Sequence, residues 1–233
     1  MDLSKSTGIV TGVSKGIGKA TVLDLLNKGA KVIGWGRTNP NIDNDNFTFI
    51  ETDVSNADSV KNVLDESKKL SNGDFHFLIN NAGLGYFKIM EELKEEEWRA
   101  MFDVNVHGIF NCSKALIPIM KAQDDYAHII NISSIAGLMG MPEGTGYCGT
   151  KYAVKGISEA MFKELRQFNI KVSCIYPGSV NTDFFDNYEG IDANDTMMKA
   201  TDISRTILQV LETPDNVITM NVEIRPLNTT YKV

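Results

Sequence analysis

The alternation of two kinds of segment constrains this chain most. Seven short β-rich runs are separated by longer stretches with helical periodicity. Gly8–Thr11, Lys31–Trp35, Phe47–Glu51, Phe75–Asn80, His128–Ile132, Lys171–Tyr176 and Val217–Ile224 read as strands. Several are apolar without clean alternation, the pattern of parallel strands covered on both faces. Between the strands, apolar residues recur at helical spacing. Ile203, Ile207, Val210 and Leu211 stand at i, i+4, i+7 and i+8 and stop before Pro214, and Val60, Val63 and Leu64 mark another stripe. Such alternation implies right-handed crossovers and predicts an α/β fold, a doubly wound parallel sheet of about seven strands with helices on both faces. Prolines and glycines are scattered and nothing repeats, so one domain over 1–233 is expected. In such sheets ligands sit beyond the carboxyl ends of the strands, so the chemistry belongs in the loops that follow them.

Composition removes several function classes. A net charge of −7 lacks the clustered positive charge that a phosphate backbone requires, so no nucleic-acid partner is expected. Cys112, Cys148 and Cys174 are an odd set without CxxC spacing, which suits free thiols in a reducing compartment. The opening MDLSKSTGIVTG has no apolar leader core, and no run approaches 18 apolar residues. Neither secretion nor a membrane span is expected, and the cytoplasm is the expected location.

The first strand runs into Thr11-Gly12-Val13-Ser14-Lys15-Gly16-Ile17-Gly18, which opens a helix. Glycines at a strand-to-helix turn allow positive φ and close backbone approach, and the helix N-terminus offers unpaired N–H groups to an anion. The spacing is GxxxGxG. A P-loop reading through Gly18-Lys19 fails, because Gly12 stands one residue too far away and Ala20 cannot ligate magnesium. A Rossmann-type NAD site places an acid after the second strand, to hold the ribose 2′-hydroxyl. Here that strand ends Gly36-Arg37-Thr38, without a carboxylate. Arg37 offers a planar fork suited to phosphate, and Lys15 adds a second charge from the neighbouring loop. Two bases beside one anion-binding turn point to a 2′-phosphate, with two solvated surface cations as the plain alternative.

Further motifs follow the later strands. The fourth ends in Asn80-Asn81-Ala82-Gly83, and the sixth in Pro177-Gly178-Ser179-Val180-Asn181-Thr182. The fifth runs into Ser133-Ser134; Tyr147 follows Ser134 by thirteen residues and Lys151 follows Tyr147 by four. On a helix that spacing puts Tyr147 and Lys151 on one face. Each motif alone is weak. Together TGxxxGxG, Asp53-Val54, NNAG, a mid-chain Asn105, Ser–x₁₂–Tyr–x₃–Lys and PGxVxT resemble the short-chain dehydrogenase/reductase family, in order over roughly residues 7–185.

The resemblance implies roles. Asn105, Ser134, Tyr147 and Lys151 match the family's catalytic four. Gly12, Ser14, Gly16, Ile17 and Gly18 match its pyrophosphate loop, Asp53 and Val54 its adenine contacts, and Asn81, Ala82 and Gly83 its adenosine-ribose wall. Pro177, Gly178, Val180 and Thr182 match the nicotinamide side. Lys15 and Arg37, with Thr38 beside it, fall where NADP-preferring members carry bases. NADP(H) is thus the implied cofactor and a small carbonyl, keto acid or hydroxy acid the implied substrate. No metal is expected. The family commonly forms homotetramers; a tetramer or dimer is implied, with the helix at Tyr147 and the helix from about Glu96 to Met120 in one interface.

The residue types suit carbonyl reduction, which needs a hydride and a proton for the nascent alkoxide. Tyrosine titrates near 10, so acid–base work near pH 7 asks for a shift of about 3 units, or ~4 kcal/mol. One ammonium ~4 Å away, at an effective dielectric of about 20, supplies ~4 kcal/mol. Lys151 is therefore expected to lower Tyr147. Ser134 would donate to the carbonyl oxygen, and it is favoured over Ser133 because neighbours on a strand point to opposite faces. Asn105, interrupting a helix, would hold a relay water.

Other residues carry less. His76, His107 and His128 are dispersed, and Cys148 has no histidine tied to it, so all read as structural. The tail Met220–Leu227 lacks the Asp-Gly-Gly-like turn of 3-oxoacyl carrier-protein reductases, which makes that activity an alternative to a small carbonyl reductase. A non-catalytic NADP-binding regulator is a second alternative, opposed by the intact Ser134, Tyr147 and Lys151. A dehydratase or epimerase would need further acid–base groups and a longer C-terminal region. Residues 183–200 are expected to form a substrate lid, with Phe184, Phe185, Tyr188, Met197 and Met198 as its apolar members or else as core.

Overall fold

A computed structural model describes residues 1–185, 194 and 196–227. In chain order its elements are β1 (Thr7–Thr11), α1 (Gly16–Asn27), β2 (Lys31–Gly36), β3 (Phe47–Glu51), α2 (Ala57–Leu70), β4 (Phe77–Asn80) and α3 (Glu95–Phe102). A π-helical turn (Asp103–His107) leads into α4 (Gly108–Ala122), then β5 (Ala127–Ile132), α5 (Thr145–Leu165) and β6 (Ile170–Pro177). The short β7 (Val180–Asn181), β8 (Met198–Lys199), α6 (Ala200–Leu211) and β9 (Asn221–Ile224) follow. The main sheet has seven parallel strands in the order β3-β2-β1-β4-β5-β6-β9. Strand order reverses between β1 and β4, which opens a crevice at their carboxyl ends.

Successive strand residues explain why the runs lack alternation. Val10, Val32, Ile79 and Ile130 enter one apolar layer, beneath Val22 and Leu25 of α1 and Ile203 and Ile207 of α6. Their neighbours Ile9, Ile33, Leu78 and Ile129 enter the other, beneath Val60 of α2, Leu116 of α4 and Met161 and Leu165 of α5. Both faces of the sheet are buried, so both positions of each pair must be apolar.

Boundaries differ from the sequence reading in physically simple ways. β4 begins at Phe77, because the Phe75 N–H donates to Gln123 Oε1 at 3.0 Å instead of joining the ladder. β9 is confined to Asn221–Ile224, since the Val217 N–H closes a turn onto Pro214 O at 2.9 Å. The helix expected from Glu96 to Met120 is α3 and α4 joined through the π turn. Of the expected lid, residues 186–193 (with Tyr188) and 195 lie outside the described residues, as does the Phe185 side chain. Met197 and Met198 are buried, and Met198 packs in the layer beneath α1 and α6 and not over the crevice. Among the described residues no helix is long and apolar enough to cross a membrane, and no cluster of histidine, cysteine and carboxylates is placed to hold a metal.

His128, on β5, is buried at the opposite end of the sheet from the crevice. Ser173 Oγ donates to Thr219 O at 2.6 Å, so the 2.8 Å contact with His128 is a donation from Nε2–H to that hydroxyl. Nδ1 has no hydrogen-bond partner among the described residues. Burial, with the Lys171 ammonium adding to it, pushes the imidazole from 6.5 down to about 3. An unfolded chain takes up a proton that the folded one refuses, so this contribution is present above about 6.5 and lost as pH falls toward 3. Urea midpoints measured near neutrality and again in mild acid should therefore fall more for the wild type than for His128→Leu. Equal losses would remove His128 as a source of acid sensitivity.

Candidate active site

The turn between β1 and α1 is held open by its glycines and pinned by the loop after β4. Gly12 and Gly16 have φ of +68° and +57°. A Cβ on Gly12 would lie 2.7 Å from Ala82 Cα, and one on Gly18 would lie 2.2 Å from Gly12 O. The Asn81 Nδ2 group donates to Thr11 O at 3.0 Å and Gly12 O at 3.1 Å, while the Asn81 and Ala82 N–H groups donate to Thr11 Oγ1. Lys15 caps α1 without a side-chain bond, which leaves first-turn N–H groups aimed into the crevice. Thr11 is thus a second clamp of the turn, marked only by the T of TGxxxGxG.

One groove of about 350 Å³, within the ~300–1,000 Å³ range of small-molecule sites, touches residues from every expected segment. Gly12, Ser14, Lys15, Gly16 and Ile17 border it, with Arg37 and Thr38 after β2 and Asp53 and Val54 after β3. Asn81, Ala82 and Gly83 follow β4, Ser134, Tyr147 and Lys151 stand beyond β5, and Pro177, Gly178, Val180 and Thr182 follow β6. Gly18 and Asn105 do not line it. Gly18 acts through its tight contact with the turn. The groove also takes in residues the sequence did not single out, Thr52, Leu84, Phe87, Ile135 and Met141, and Asp183 from the start of the expected lid. They come from several different loops, and no single local spacing joins them.

Two charges of the cofactor-side expectation part company. Arg37 is exposed, and among the described residues no carboxylate pairs with it. Lys15 Nζ is instead 3.1 Å from Asp183 Oδ2, an ion pair between the glycine turn and the segment after β7. Asp53 Oδ1 accepts from the Ser55 N–H and hydroxyl, which fixes the bend after β3.

Ser133 and Ser134 turn to opposite sides, as strand alternation requires. Ser133 Oγ donates to Lys151 O at 2.9 Å. Ser134 Oγ accepts from Ala136 N at 3.2 Å and donates to Pro177 O at 3.4 Å. Tyr147 and Lys151 share a face of α5, and the Lys151 ammonium sits 5.6 Å from the Tyr147 ring centroid while donating to Ile132 O at 3.0 Å. Asn105 is buried in the π turn. Its amide accepts from Leu84 N at 2.9 Å and donates to Leu84 O and to Thr150 Oγ1. A Cβ on Gly83 would lie 3.3 Å from Asn105 Oδ1 and 3.7 Å from Lys151 Nζ, so the amide and the ammonium flank that glycine.

Electrostatics departs from the simple pair arithmetic. Burial pushes the Tyr147 hydroxyl above its usual range, with the Ser134 hydrogen bond pulling the other way. Burial pushes Lys151 down to about 8, against a smaller opposite effect of Cys174. The expected lowering of Tyr147 by Lys151 is absent from the protein alone: the ammonium is held by a carbonyl beneath the ring, and desolvation disfavours charge on both groups.

The residues fit a dinucleotide: a glycine cradle no side chain can enter, unpaired N–H groups at a helix start, and an exposed guanidinium at one flank. The model for short chain dehydrogenases matches residues 6–190. An uncharacterised oxidoreductase of Staphylococcus saprophyticus is 33% identical over 234 residues, covering 94% of this chain and 94% of that protein. A 3-ketodihydrosphingosine reductase of Bacteroides thetaiotaomicron is 38% identical over 179 residues, 77% of this chain and 65% of that protein. Among solved structures, the closed form of a serine dehydrogenase complexed with NADP+ has a TM-score of 0.86 at 26% identity, with 97% of both chains covered. By its parallel sheet, its glycine turn and these matches, the chain belongs to the short chain dehydrogenase family of oxidoreductases.

Proposed function

We propose that the protein is an NADP(H)-dependent oxidoreductase that interconverts a carbonyl and an alcohol. The observation that carries this reading is the convergence of Ser134, Tyr147 and Lys151 on the groove that the glycine turn borders. When bound, the cofactor supplies the hydride and, in its oxidised form, a positive ring. Tyr147 passes a proton to or from the substrate oxygen, and Ser134 holds that oxygen where charge develops. Lys151 places a positive charge beneath the phenol and binds the nicotinamide ribose. Asn105, fixed by Leu84 and Thr150, holds a relay water near Lys151. A homo-oligomer through α4 and α5 belongs to the same reading; Phe110 and Tyr152, on those helices, are exposed. Following NADPH absorbance against aldehydes, ketones and quinones tests it, and consumption with none of them, by protein that binds NADPH, would leave the regulator alternative.

NADP(H) preference rests on Arg37, since Lys15 is shared with Asp183. A Cβ on Gly36 meets only ordinary contacts, the nearest at 3.6 Å, so a β-carbon is accepted there. Gly36→Asp combined with Arg37→Ser is expected to reverse the preference. A charge-assisted phosphate contact contributes ~1.5–3 kcal/mol, which is roughly tenfold or more in affinity. Titration of both cofactors measures it; equal binding of the two by the unaltered protein would contradict the assignment.

A further inference from the structure

The groove wall around Tyr147 is apolar and aromatic. The rings of Phe87 and Tyr147 have centroids 5.1 Å apart, those of Tyr147 and Phe184 5.6 Å, and those of Phe87 and Phe184 6.3 Å. Leu84, Ile135 and Met141 complete this wall. The cations bordering the groove are spoken for or stand elsewhere: Lys15 and Arg37 belong to the turns after β1 and β2, and the Lys151 ammonium is held by Ile132 O. Two more bases come close to the wall. Lys88 follows Phe87 and pairs with Glu97 at 2.7 Å. Arg225 reaches Met139 Sδ at 3.7 Å and pairs with Glu223.

We infer, building on the reductase reading of this groove, that the substrate is an uncharged carbonyl compound with an apolar or aromatic substituent, and not a keto acid, a hydroxy acid or a phosphorylated compound. A carboxylate set among Phe87, Met141 and Phe184 would lose its water and gain no cation, and burying an unpaired charge is among the costliest things a site can do. A neutral ketone meets no such penalty. Its oxygen needs only the hydroxyls of Ser134 and Tyr147, and the aromatic wall takes the rest by contact.

The test is a matched pair that shares one ketone: methyl benzoylformate, which is neutral, and benzoylformate, which is its free acid. Wild-type protein with NADPH should favour the ester in kcat/KM by about 100-fold or more, as loss of pairing for a buried charge implies. Calorimetric titration of both compounds into NADPH-loaded Tyr147→Phe protein reads the same preference without turnover. The binding measurement therefore decides the substrate class even if the reductase reading fails in the turnover assay. Tighter binding of the ester supports the inference; binding of neither compound, or of the acid as tightly as the ester, overturns it. Met141→Lys adds a cation to the wall and should shrink the ester-to-acid ratio at least tenfold. An unchanged ratio would mean that the substrate does not lie on this wall.

Discussion

Tyr147→Phe is expected to abolish most turnover while leaving NADPH binding little changed. The ring stays between Phe87 and Phe184, so packing is retained, and the glycine turn is untouched. What goes is the hydroxyl alone. General acid–base groups contribute ~10²–10⁴-fold, and the loss should be at least that large if Lys151 and Ser134 act only through this hydroxyl. Ser134→Ala should lower rate more than binding, whereas Lys151→Ala should lower both. Direction with pH follows from the same group. Alcohol oxidation needs the phenolate, whose population grows with pH, so that direction should speed up as pH rises. Burial raises the phenol's own pKa, and the Lys151 ammonium loses its charge as pH rises through about 8, so the rise should extend well above neutrality. Stopped-flow or steady-state profiles of wild type and variant measure both effects. Near-normal carbonyl reduction by Tyr147→Phe would move the acid–base group elsewhere.

Gly18→Val should be nearly as damaging, by a different route. The new Cβ would stand 2.2 Å from Gly12 O and 2.5 Å from Asn81 Nδ2, both parts of the clamp that holds the turn. Backbone cannot yield as a flexible side chain can. Either α1 moves away from the turn or Asn81 gives up its bonds to Thr11 O and Gly12 O. Overpacking of this kind costs ~1–3 kcal/mol or more, and on the proposed cofactor reading displacement of the turn should show as a ~10–100-fold weaker NADPH affinity. Gly156→Ala is the matched control, because a Cβ there meets nothing within 4 Å and alanine is the better helix former. Fluorescence titration and thermal melts of both variants separate loss of the cradle from loss of the fold. A Gly18→Val protein that binds NADPH like the wild type would show that the tight approach is dispensable.

Much of the architecture is written in local pattern. Continuous apolar runs announce a sheet buried on both faces, and Ile9 and Val10, or Leu78 and Ile79, do enter opposite layers. The glycine spacing announces a turn whose backbone must come close to something, and the contacts of Gly12 and Gly18 show how close. The four-residue step from Tyr147 to Lys151 places them on one helix face without reference to the rest of the chain. Helical and strand periods are set by neighbours two to four residues apart, which is why sequence alone determined these features.

What remained belongs to contacts between distant residues. The π turn at Asp103–His107 carries no propensity signal; it is seen through Asn105, whose amide reaches Leu84 and Thr150, 21 and 45 residues away. Lys15 meets Asp183, and the aromatic wall joins Phe87, Tyr147 and Phe184 from three segments. The Tyr147 ionisation illustrates the difference best. Spacing placed an ammonium near the phenol, but depth of burial reversed the direction of the shift. Desolvation depends on everything that packs around a group, and only the folded chain assembles those surroundings.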